Sequence, residues 1–133
     1  MALGKIKADT LEHSTAGSLD TSYVVNGSAK AFVNFNGNGT VAIKSNLNTS
    51  STSDNGTGDY TANLTSAMSN ALYTGLASAR DVSTGTNIVA ADGNTTRTVG
   101  ASAFHVWSAY SGASNKTLYD ALFVDVVIHG ELA

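Results

Sequence analysis

Apolar and polar residues alternate along much of this chain. In "AKAFVNFN", residues 29–36, an extended backbone puts Ala29, Ala31, Val33 and Phe35 on one face. Lys30, Phe32, Asn34 and Asn36 fall on the other. "GNG" at 37–39 predicts a tight turn, and "TVAIKS" at 40–45 returns with Val41 and Ile43 inward, which is a β-hairpin pattern. The same period of two recurs downstream. "YTANLT" at 60–65 sets Tyr60, Ala62 and Leu64 against Thr61 and Asn63. "LYTGLASA" at 72–79 reads as a strand interrupted at Gly75, where a bulge is expected. "VGASAFHVWSAY" at 99–110 places Phe104, Val106 and Ser108 on one face and His105, Trp107 and Ala109 on the other. "LYDALFVDVVIHGEL" at 118–132 predicts a last strand with Leu122, Val124, Val126 and Ile128 inward.

The stretches between these runs are polar. Residues 4–11 suit a short first strand, and residues 12–28 read as a polar connector around Tyr23, Val24 and Val25. Residues 46–54 suit an edge strand or a loop, "DNGTGD" at 54–59 a turn, and residues 80–98 a long polar excursion. No segment holds a helical stripe; the Ala-rich run 65–80 comes nearest, and Gly75 weakens it. About seven short strands with frequent turns predict an all-β fold, an antiparallel β-sandwich of jelly-roll-like type.

Composition sharpens this picture. Ser, Thr, Asn and Gly supply 57 of 133 residues, whereas charged residues are 13%, about half the usual share. The surface is therefore made of hydroxyls and amides. A net charge of −3 gives no basic footprint for nucleic acid. Leu, Ile, Val and Phe make up only 29 residues, a thin core for one domain, so assembly is expected to bury more apolar surface. Cys is absent, which excludes disulfides and thiolate chemistry. The N-terminal residues contain no long apolar run, so neither a signal peptide nor membrane insertion is expected.

Residues 26–68, "NGSAKAFVNFNGNGTVAIKSNLNTSSTSDNGTGDYTANLTSAM", resemble a segment recurrent in fibre and virion structural proteins of tailed bacteriophages. That pattern reads "AKAWVNFNG", then a Gly-Thr strand, then "DNGTG-Y-T"; here Phe32 stands where Trp is common. The ending "ALFVDVVIHGEL" is also similar. The resemblance carries no catalytic motif. It implies a β-rich homotrimeric virion protein, made in the infected bacterial cytoplasm and displayed on the virion surface among other phage virion proteins. Only about 25 residues precede the matching segment, too few for a fibre shaft. Residues 1–25 are therefore expected to anchor the protein to the particle, with Ile6 and Leu11 as contacts, and residues 26–133 to form the β domain. A short tail fibre or fibre tip is the first expectation, and a capsid cement or decoration protein the alternative.

Candidate chemistry is sparse. His13, His105 and His129 are the only histidines, and a metal site would need them to converge. Asp54, Asn55 and Asp59 lie in a turn without the Glu that completes a calcium loop. No nucleophile elbow and no evident acid pair point to hydrolysis. No enzyme activity, cofactor or metal is expected. Carbohydrate recognition needs only exposed aromatic faces and amides. Trp107, Tyr110, Asn87, Asp92 and Asn94 are the expected receptor or glycan contacts, with Tyr73 and Tyr119 as further aromatics.

Overall fold

The alternation seen in the sequence becomes a set of antiparallel sheets. The computed structural model describes residues 7–81, 88–92, 103–110 and 117–133. Strands β3 (Ala31–Asn36) and β4 (Ala42–Leu47) form the expected hairpin. Together with β7 (Thr74–Arg80) and β10 (Phe123–His129) they make a four-stranded sheet in the order β4-β3-β10-β7. Strands β5 (Thr49–Gly56), β6 (Asp59–Leu64), β8 (Ile88–Asp92) and β9 (Ala103–Tyr110) make a second, in the order β5-β6-β9-β8. Every pairing is antiparallel.

Strands β3, β6, β9 and β10 send alternate side chains into one shared core. Val33 and Phe35 from β3, Val124, Val126 and Ile128 from β10, Tyr60 and Ala62 from β6, and Phe104 and Val106 from β9 are all buried. Phe35 and Tyr60 meet edge to face across the sheets, with ring centroids 5.1 Å apart. Burying such side chains is the main favourable term of the fold. Leu122 departs from the expectation: it is only half-buried, because the regular strand begins at Phe123.

Gly75 is not a bulge. It pairs in register with Ile128, and a Cβ there would lie 2.0 Å from the Phe104 ring. Glycine is present to let that ring approach the backbone. The register shifts fall instead at Asn34/Phe35, Thr49/Ser51 and Asp54/Gly56. The run 65–80 contains no helix.

The two glycine motifs close one end of the core. Tyr60 lies fully buried with its hydroxyl 2.9 Å from Gly37 O and 3.0 Å from Asp120 Oδ1. A Cβ on Gly37 would come within 2.6 Å of that hydroxyl. Gly58, at φ +62°, donates its N–H to Asp120 Oδ1 at 2.6 Å, and a Cβ there would meet Ser108 O at 2.4 Å. The turn glycines of "FNG" and "GTGDY" thus serve close packing around Tyr60 and Asp120.

Residues 12–28, expected as a polar connector, carry secondary structure. Strand β1 (Thr10–His13) pairs with β2 (Gly17–Asp20), and a short helix α1 (Thr21–Gly27) follows. Asp20 caps that helix by accepting the Ser22 N–H at 2.7 Å, which lowers the Asp20 pKa. From Lys7 to Ser28 no described side chain is buried; Thr21 alone is half-buried. This N-terminal arm meets the body through backbone and polar contacts, such as His129 Nδ1 to Gly27 O at 3.1 Å. A second correction concerns residues 80–98, where β8 occupies part of the expected loop and pairs with β9. Among the described residues no helix is long and apolar enough to cross a membrane.

Candidate functional site

The outer face of β5-β6-β9-β8 collects the polar and aromatic side chains that the core rejects. The period of two turns Asp59, Thr61 and Asn63 outward from β6, and His105 and Trp107 outward from β9, as the sequence pattern predicts. Asp59 is paired with Trp107 across the ladder, and Thr61 with His105. The imidazole and indole stack edge to face at 5.4 Å. His105 Nε2 bonds Asp59 Oδ1 diagonally.

A comb of amides and hydroxyls continues this face toward the sheet edge. Asn55 Nδ2 donates to Asp59 Oδ1 at 3.1 Å and to Thr61 Oγ1 at 2.9 Å. Asn63 Nδ2 donates to Ser51 Oγ and to Ser53 Oγ, both at 3.0 Å. Each side chain holds its neighbour, so the face is ordered before any ligand arrives, and that lowers the entropic cost of binding.

Asp59 is held ionised. Partial burial opposes its charge, but hydrogen bonds from His105, Asn55 and Trp107, with the attraction of His105, outweigh it and bring its pKa below the ordinary value. The site therefore presents a carboxylate, an imidazole, an indole and several amides within one sheet face. What it offers is hydrogen bonds and apolar ring surface, which is the chemistry of binding.

The expected contacts divide three ways. Trp107 lies on the outer face, half-buried beside His105. Tyr110 ends β9 opposite Ile88, and Asp92 ends β8 opposite Val106, so both belong to the same sheet. Asn87, Asn94 and Ile6 lie outside the described residues. Leu11 sits on β1 and is 50% exposed. Tyr73 is buried in the core, and Tyr119 is half-buried with its hydroxyl 2.5 Å from Asp81 Oδ2. Neither stands on the outer face with Trp107.

Asp54 and Asp59 are engaged by the turn and the sheet: Asp54 Oδ1 accepts the Gly56 N–H at 3.0 Å. Among the described residues no group of three or more His, Asp or Glu is placed to hold a metal. The sequence marks His105 and Asp59 separately and does not make them partners. Strand parity assigns a face; it does not say which strands are neighbours, and only the β6–β9 pairing joins the two. No family model matches the chain, and no curated protein or solved structure is detectably similar to it.

Proposed function

We propose that this chain is a non-enzymatic virion structural protein of a tailed bacteriophage, of short tail fibre or fibre-tip type. Its two sheets act as a β-sandwich that assembles as a homotrimer and presents the Trp107 face to glycans of the host surface. The observation that carries the reading is the ordered array of Asn55, Asp59, Thr61 and His105 around Trp107. Sugar rings stack on aromatic surface and exchange hydrogen bonds with amides and carboxylates, and an array already ordered meets that demand. The resemblance of residues 26–68 to phage fibre and virion proteins also favours this reading.

The test is binding of the intact protein to a panel of bacterial surface polysaccharides. Wild type is expected to bind at least one of them, and Trp107→Ala to lose at least tenfold in affinity with an unchanged fold. Binding by wild type that is indifferent to Trp107→Ala moves recognition off this face. No binding to any bacterial surface polysaccharide favours the second reading, a capsid decoration protein. One observation supports that second reading: the N-terminal arm, whose apolar side chains Leu11, Leu19, Tyr23, Val24 and Val25 are exposed.

A further inference from the structure

The outer face of the other sheet carries an uncovered apolar row. The ladder aligns Leu47 of β4, Phe32 of β3, Val127 of β10 and Leu76 of β7 side by side. Leu76 is 60% exposed, Leu47 48% and Phe32 37%. Beside this row, Asp125 is already bound by Asn34 and by Ser78, the latter at 3.3 Å. Beyond it, Lys44 Nζ and the Arg80 guanidinium sit 3.5 and 4.0 Å from the Phe123 ring centre. The face is therefore apolar at one end and cationic at the other.

The N-terminal arm is the complement of that face. Leu11, Leu19, Tyr23, Val24 and Val25 are all 44–70% exposed, so the arm also has uncovered apolar surface. Its described charges are Lys7 against Asp9, Glu12 and Asp20, an acidic balance. A hairpin of two four-residue strands is not stable alone in water, and this one has no core beneath it. The chain's own arm leaves its own apolar row open. Stacking the face on itself would offer Lys44 and Arg80 only Asp125, which is already engaged.

We propose that the arm of one copy docks on the β4-β3-β10-β7 face of the next. Its apolar side chains cover the Leu47–Phe32–Val127–Leu76 row, and its carboxylates face Lys44 and Arg80. Two different surfaces of the same chain then meet head to tail, a contact that closes into a ring when the rotation permits. The arm expected to anchor the particle instead joins neighbouring copies.

The test uses full-length protein and light scattering at micromolar concentration. Wild type is expected at a multiple of 13.6 kDa. Leu76→Glu on the face and Val25→Glu on the arm should each run as monomers, with circular dichroism unchanged because both side chains are largely exposed. Mixing the two variants should restore a dimer, since one retains a working arm and the other a working face. Arg80→Glu should weaken association at least tenfold, and Glu12→Lys in the same chain should recover most of it. Wild type that is monomeric, or either single variant that keeps the wild-type mass, overturns the proposal. So does a mixture that stays monomeric, because the intact arm of one variant would then not dock on the intact face of the other. If either Glu variant fails to fold, the Arg80/Glu12 exchange decides alone.

Discussion

Tyr60 sits where three segments meet, and its hydroxyl is answered by Gly37 O and Asp120 Oδ1. Burial first, then the hydrogen bond and charge of Asp120, raise its pKa well above the ordinary tyrosine value. Below about pH 10 the tyrosine is neutral in both folded and unfolded chains, so its contribution is constant there. Above pH 10 the unfolded chain ionises and the folded one does not, so stability falls as pH rises. Denaturant titrations from pH 8 to 11 should show that fall, and Tyr60→Phe should flatten it while costing about 1–3 kcal/mol at neutral pH. Asp59 acts at the other end of the scale. Its lowered pKa makes a contribution present above the ordinary carboxylate range and lost as pH falls below about 4. Gly75 is the clearest steric test. A methyl group there meets Phe104, so Gly75→Ala should cost about 1–3 kcal/mol, read as a lowered denaturation midpoint.

At the scale of elements, one residue turns the chain from the first sheet into the second. Asn48, between β4 and β5, has φ +51°, a left-handed conformation that asparagine tolerates better than other side chains. Its Oδ1 accepts the Ser66 N–H at 2.7 Å, its Nδ2 donates to Ser66 O at 3.1 Å, and its own carbonyl accepts the Thr65 N–H at 3.1 Å. Asn48→Ala loses both the backbone tolerance and the side-chain bonds, at a cost of about 2–3 kcal/mol. Asn48→Gly keeps the conformation and should cost about half as much, and chemical denaturation of the pair separates the two effects.

The same elements show what alternation can and cannot reveal. The strand faces of β3, β6, β9 and β10 were legible, because a half-buried strand repeats every two residues and those repeats are unbroken. The arm was not legible. Its hairpin and helix bury nothing, so no periodicity marks them, and only Asp20 ahead of "TSYVV" hints at a helix start. Strand β8 was hidden because only the five residues Ile88–Asp92 pair with β9 inside the polar run 80–98. At the candidate site, Trp107 and its face could be read from the sequence, whereas the Asp59–His105 link depends on which strands pair.

For the whole molecule, the two sheets have outer faces of different chemistry over one core. One is a comb of amides and hydroxyls around His105 and Trp107. The other is an apolar row flanked by Lys44 and Arg80. A chain with so few bulky apolar residues gains by covering the second face with another copy and leaving the first to the outside. Low charge suits the proposed role, since a hydroxyl-rich surface would meet neutral glycans without strong steering by salt. In the assembled protein, added salt should therefore weaken the arm contact more than glycan binding, a contrast that light scattering and binding assays at two ionic strengths would display.

The measurement that tests the central claim most directly is imaging of the assembled phage particle with this protein located and its copies counted. The account predicts a few copies, in multiples of three, at the tail or on projecting fibres, with the Trp107 face outward. Many copies spread over the head, or no copies on the particle, would contradict it.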